Sequence, residues 1–280
     1  MNNKNIHCKA CGHLFTGKFC NNCGEKVYGD QDKNLKHLME DAFHFFTHFD
    51  NKFLKTVKLV LLKPGYLSHQ YSGGIRKPFF KPVSLFIICV ILYLLFPFFK
   101  GLNMRYYTYE TAGNTYAPFV APVIKKKLAN NTYSVEQLAE RYDQASPKFA
   151  KLLILLYLPF TAFALQWLFF RRKKYYFDHF IMATEMNSFY ILVGYLIVPL
   201  FAYLIVWIWP SAVRLFEDGS SFYFVILGTY SIAFAVALKR FYQEKWIWII
   251  PKTILFLWIF LFLIKFVYNV ILFYLVMLTL

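Results

Sequence analysis

The chain is short of charge, and the charge it has is mostly of one sign. Only 16% of its 280 residues are charged, against 58% that are hydrophobic, and 15 acids stand against 31 lysines and arginines. An ordinary soluble domain carries roughly a quarter charged residues, so this shortage excludes a water-soluble globule. The lack of acids leaves a net charge of +16 with two readings. One is nucleic-acid binding. The other is lysine and arginine flanking membrane spans on the cytosolic side and attracting anionic headgroups. The charges flank apolar blocks and form no dense stripe, so the second reading is preferred, and nucleic acid is not expected as a partner. An apolar leader is also missing from the first thirty residues, so no cleavable signal peptide is read. The amino end is then expected in the cytosol, where thiols stay reduced and favour metal over disulfides. Cysteine is scarce: five in all, with four inside residues 8–23. The fifth, Cys89, lies in an apolar run and reads as a small buried hydrophobe.

What is present is a set of long apolar blocks. Runs of about eighteen or more apolar residues read as membrane spans, and five are expected, at about 83–99, 149–170, 187–208, 221–238 and 253–278. The fold class expected is mainly α: a polytopic helical membrane protein of about five transmembrane helices with a small N-terminal four-cysteine zinc ribbon. The domains are read as a ribbon at 1–30, an amphipathic interfacial helix and basic Pro/Gly-rich connector at 31–82, and a transmembrane bundle at 83–280. Within the bundle, 101–148 is expected to be an extracytoplasmic segment, and Ser134 with Gln137 makes a capping box there. Lysine and arginine placement gives the orientation. Residues 1–82 hold thirteen, 171–186 four and 239–246 three, against six in 101–148 and one in 209–220. Lys125, Lys126 and Lys127 are the exception. The rule puts the ribbon, the Arg171-Arg172-Lys173-Lys174 loop and the 239–246 loop in the cytosol.

The ribbon is read from "CKACGHLFTGKFCNNCG", residues 8–24. Cys8/Cys11 and Cys20/Cys23 are two C-x-x-C pairs, each followed by a glycine, Gly12 and Gly24. That position needs a turn that aims backbone N–H groups at sulfur, and glycine tolerates its φ. Four thiolates at this spacing suit a closed tetrahedral zinc site with Cys8, Cys11, Cys20 and Cys23 as ligands. Such a site has no open coordination position, so the zinc is structural. A redox pair would need a βαβ context, which is missing; an iron–sulfur cluster fits the paired knuckles less well. His7 and His13 read as bystanders. The intervening residues 13–19 are expected to form a short hairpin turning at Gly17.

Residues 34–63 have helical periodicity, with Leu35, Met39, Ala42, Phe46, Phe49, Phe53, Val57 and Val60 on one stripe. His37, Asp41, His44, His48 and Lys55 lie on the other. This helix is expected either in the membrane interface, aromatic face down, or packed on the bundle. His44 and His48 are spaced for a metal, but no third ligand accompanies them, so a solvated face is the preferred reading. Pro64 then opens a short helix that Gly73-Gly74 closes, and Pro78 and Pro82 keep the chain extended up to the first span.

These motifs carry a resemblance. A CxxCG…FCxxCG ribbon followed by a T…LL…PG stretch and then a Y…G…R…P stretch resembles an uncharacterised bacterial family, domain of unknown function 3667. The matching residues are Thr56, Leu61, Pro64, Gly65, Tyr71, Gly74, Arg76 and Pro82. Ser72-Gly73-Gly74 has one small residue more than the family pattern. "YYFDHFIMATEMNSF" at 175–189 is a further echo, with Glu185 where the family often has histidine. The resemblance implies a multi-pass protein of the bacterial cytoplasmic (inner) membrane with a zinc ribbon, and no known activity.

Three functions compete. The first is a membrane protein whose cytosolic ribbon is a binding or regulatory module for an unknown cytosolic protein, as a monomer or a homo-oligomer. The second is a small-solute transporter, for which Lys265, Gln166 and Asn187 would have to converge; Asn269 is read as a link between helices, and Pro159 and Pro199 as kinks. The third is an enzyme using Asp178, His179 and Glu185 at the cytosolic face. No nucleophile, phosphate loop or complete ligand set accompanies those three, so catalysis is not expected, and Lys265 is read as a snorkelling or structural residue. The first function is preferred.

Overall fold

The computed structural model describes residues 5–29, 32–34, 51–95, 103–111, 115–129, 133–172, 175–215 and 220–280. In chain order the elements are β1 (Ile6–His7), β2 (Leu14–Phe15), α1 (Asn51–Leu62), α2 (Tyr66–Ser72), α3 (Pro82–Leu95), α4 (Tyr106–Thr111), α5 (Ala117–Ala129), α6 (Val135–Leu153), α7 (Tyr157–Phe169), α8 (Tyr176–Ile191), α9 (Val198–Ile208), α10 (Ser220–Tyr242), α11 (Trp246–Phe262) and α12 (Asn269–Thr279). Single π-helical stretches, Leu192–Ile197 and Leu263–Tyr268, join α8 to α9 and α11 to α12. The upstream part of the 34–63 helix, with His37, Asp41, His44 and His48, lies outside the described residues.

Among the described residues, three helices are long and apolar enough to cross a membrane: Tyr176–Ile208, Phe224–Tyr242 and Trp246–Thr279. A fourth results if Val135–Ala150 and Ile154–Phe169 form one span. Apolar α3 is shorter; residues 96–99 of the span expected there lie outside the described residues. The protein is thus a mainly α, multi-pass membrane protein. Its long helix begins at Tyr176, ahead of the expected 187, which puts Asp178, His179 and Glu185 inside the helix.

The chain divides into two compact units. The first joins Met1–Leu95 to Leu158–Phe256. Its centre is α8, on which α3 packs along its length and which also touches α1, α2 and α10. That role explains why nearly every residue of α8 is buried. Three of its polar side chains are satisfied on its own turns: Thr184 Oγ1 donates to the Phe180 carbonyl, Asn187 Nδ2 to Ala183 and Ser188 Oγ to Thr184, each at 2.7–2.8 Å. At the far end of α10, Tyr242 stacks on Phe169 with centroids 3.8 Å apart and meets His179 Nδ1 at 2.7 Å. Glu244, just beyond, binds Arg172 at 2.7 Å and Lys252 at 2.8 Å.

The second unit joins Phe96–Tyr157 to Leu257–Leu280. Leu272, Phe273, Val276 and Met277 of α12 are buried, and α12 packs on α6. Tyrosine hydroxyls hold the backbone here. Tyr109 donates to the Asn269 carbonyl at 2.9 Å, Tyr116 to that of Lys265 at 2.5 Å and Tyr268 to that of Ala150 at 2.9 Å. A π-helical turn leaves carbonyls short of regular partners, and Tyr116 supplies one at Lys265. The Lys265 side chain is exposed. The capping box at α6 forms as expected, Ser134 N–H donating to Gln137 Oε1 at 3.0 Å and Gln137 N–H to Ser134 Oγ at 3.2 Å.

Candidate metal centre and its docking turn

The ribbon is two copies of one turn. Cys8 N–H donates to the His13 carbonyl and Gly12 N–H to that of Cys8, at 2.9 and 2.8 Å; Cys20 and Gly24 repeat this with Glu25 and Cys20, at 2.9 and 2.7 Å. Gly12 and Gly24 have φ of 75° and 70°, the left-handed conformation expected of them. The pairing differs from the expected hairpin at Gly17. Instead, β1 pairs with β2 across the first knuckle, Ile6 opposite Phe15, and Phe19 bridges Lys26 across the second. Each C-x-x-C-G is itself the hairpin turn, so the residues between the knuckles need only bend.

This fold brings the four sulfurs of Cys8, Cys11, Cys20 and Cys23 within 4.8 Å of one another. Cys8 Sγ lies 3.5 Å from Cys23 Sγ, and Cys11 Sγ 3.7 Å from Cys20 Sγ. Disulfide sulfurs are ~2.0 Å apart, so these are free thiols. A tetrahedron with ~2.3 Å metal–sulfur bonds has edges of ~3.8 Å. Size and softness of the donor set therefore fit a metal ion. The His13 backbone N–H is the main cause holding Cys11 down at about 6. At Cys23 the Glu25 N–H also lowers the thiol, but desolvation and the neighbouring sulfurs outweigh it and leave it at about 12.

The ribbon is held by the chain that follows α2. Glu25 is buried and accepts the backbone N–H of Arg76, at 3.3 Å, and of Lys77, at 3.0 Å. Lys9 Nζ donates to the Gly73 carbonyl at 3.0 Å, and Lys77 Nζ to that of Cys23. The Arg76 guanidinium lies 3.9 Å from the Tyr28 ring centroid, 4.9 Å from Tyr71 and 5.0 Å from Phe177. Its charge is thus held by three aromatic faces drawn from the ribbon, α2 and α8.

The other end of α2 is locked to the long helices. Glu185, on α8, is buried; its two oxygens accept the N–H of Gly65 and of Ser68, both at 2.7 Å, and the Ser68 hydroxyl at 2.5 Å. These are the orphan donors of the first turn of α2. Arg240 of α10 donates to the Pro64 carbonyl. Gly65 has φ of 79°, and a Cβ there would stand 2.5 Å from the Ala237 carbonyl oxygen, so both conformation and space require glycine. Thr56 ties α1 to the stretch before α3, donating to the Lys52 carbonyl at 2.7 Å and accepting the Phe80 N–H at 2.9 Å.

Thr56, Pro64, Gly65, Tyr71 and Arg76 are therefore all joints of one structure. Residues 50–94 match the family described as Protein of unknown function (DUF3667). No curated protein and no solved structure matches the chain. The DUF3667 segment runs from α1 to α3 and contains both faces of the lock, the one toward the ribbon and the one toward Glu185.

Asp178, His179 and Glu185 do not share one site. Asp178 meets Lys33 at 3.5 Å, His179 meets Tyr242, and Glu185 caps α2. Glu25, Tyr28, Ser68 and Arg240 escaped the sequence reading. Glu25 directly follows a knuckle glycine, and Ser68 lies inside the motif, so position was their only signal; Arg240 was hidden among cations counted for orientation.

Proposed function

We propose that this is a protein of the bacterial cytoplasmic membrane whose N-terminal ribbon binds zinc in the cytosol and regulates the membrane helices of its own chain. One observation carries the reading: Glu25, two residues past the ligand Cys23, holds the backbone of Arg76 and Lys77. A metal that orders the second knuckle also orders Glu25. Glu25 fixes the Gly73–Lys77 turn, and α2 carries that turn to Glu185 and Arg240 on two long helices. Some twenty residues cannot bury a useful core, and structural zinc contributes about 10–16 kcal/mol of folding energy in small modules. The metal is thus the switch for the ribbon's own fold. A cytosolic protein that binds the ribbon would compete for or reinforce the same turn.

Regulation is preferred to solute transport because Thr184, Asn187 and Ser188 of α8 bond to their own helix, which favours structure over a path. The test is hydrogen exchange on the full-length protein in detergent, with zinc and after chelation. Metal removal should raise exchange across Gly65–Lys77 as well as in the ribbon. Exchange that rises in the ribbon alone would defeat the coupling, and a purified protein without zinc would defeat the metal assignment.

A further inference from the structure

We infer that the outward face of α1 binds the headgroup layer of anionic phospholipid. Residues 51–109 contain no aspartate or glutamate. The described acids of the first unit are all engaged within it: Glu25 by Arg76 and Lys77, Asp32 by Lys26, Asp178 by Lys33, Glu185 by Gly65 and Ser68, Glu244 by Arg172 and Lys252. The cations of α1 meet none of them. Lys52, Lys55, Lys58 and nearby Lys63 are exposed, and no salt bridge reaches them among the described residues.

The placement of leucine decides the partner. Thr56 and Val60 are buried, and Phe53 and Val57 half-buried, so of the two placements expected for the apolar stripe the described part of this helix takes the packed one. The opposite face carries Leu54, Lys58 and Leu62 at i, i+4 and i+8, with Lys55 beside them. Leu54 is 70% exposed and Leu62 67%. Two bare leucines among lysines suit a surface that is apolar inside and anionic at its rim. A nucleic acid offers phosphates but nowhere to put the leucines. The lysines would lie at the phosphates while the leucines enter the acyl boundary.

The full-length protein in detergent is titrated with dioleoylphosphatidylglycerol or dioleoylphosphatidylcholine and bound lipid is counted by native mass spectrometry. Phosphatidylglycerol should bind more tightly, and Lys55→Gln with Lys58→Gln should weaken it by at least about ten-fold. Leu54→Asn with Leu62→Asn should weaken both lipids. Lys125→Gln with Lys126→Gln, on α5, is the control and should change neither. Inorganic phosphate at millimolar concentration and a fluorescent oligonucleotide should not displace the lipid. Equal affinity for the two lipids, or an unchanged Lys55/Lys58 variant, would overturn the assignment. Oligonucleotide binding lost in that variant would give the face to nucleic acid instead. Zinc content should be unaffected by these substitutions, so this failure and that of the ribbon's regulatory role are separately visible.

Discussion

Glu185 accepts three hydrogen bonds from two residues more than a hundred positions away, and Ser68 supplies two of them, through its N–H and its hydroxyl. Both carboxylate oxygens face donors. Glu185→Gln would therefore turn an amide NH2 toward a backbone N–H, and Glu185→Ala would leave two buried donors unpaired. The alanine variant should lose about 2–5 kcal/mol, the glutamine variant less, and Ser68→Ala about 1 kcal/mol. Thermal unfolding in detergent ranks them, and an unshifted midpoint for Glu185→Ala would refute the latch.

Gly65→Ala meets the Ala237 backbone and a left-handed φ at once, and should be among the most destabilising glycine substitutions in the chain. Gly228, inside α10, has open space at its Cβ; Gly228→Ala should be neutral or stabilise by up to about 1 kcal/mol. Expression and melting of the two variants side by side provide the comparison.

Cys8→Ser with Cys20→Ser removes one donor from each knuckle. Bound zinc should fall from about one ion per chain toward zero while the protein still fractionates with membranes, because membrane insertion follows from the length and apolarity of the helices. Metal analysis of purified membrane protein measures the first, and fractionation the second. Full zinc retention in the double variant would remove these cysteines as ligands.

Glu244 gives a pH signature. Burial pushes its carboxyl up, but hydrogen bonds from Lys252 and Arg172 outweigh that and hold it below the ordinary carboxylate range. A lowered folded pKa adds stability above the unfolded value near ~4.3 and loses it as pH falls through the folded value. Glu244→Gln should melt below wild type at pH 7, with the gap closing below about pH 4. A gap of constant size across that range would mean the ion network contributes nothing. Half of the Arg172 side chain is exposed, so a modest effect is expected.

The amino-acid order alone determined the division of solvents. Long apolar blocks can satisfy their backbone in lipid only as helices, and the spacing of Cys8, Cys11, Cys20 and Cys23 fixes a four-sulfur cluster because each knuckle is a local turn closed over five residues. The Ser134–Gln137 box and the Pro64 and Gly73 limits of α2 were legible for the same reason: each is decided within a turn. What only the tertiary structure decided is where these pieces meet. Periodicity gave α1 an apolar stripe but not whether lipid or α8 covers it, since both are apolar. Nor does spacing place Glu25 on the Arg76 turn or Glu185 on Gly65 and Ser68. Those bonds join residues 51 and 120 positions apart, and they exist because buried donors at a turn and a helix start must find acceptors wherever packing brings them.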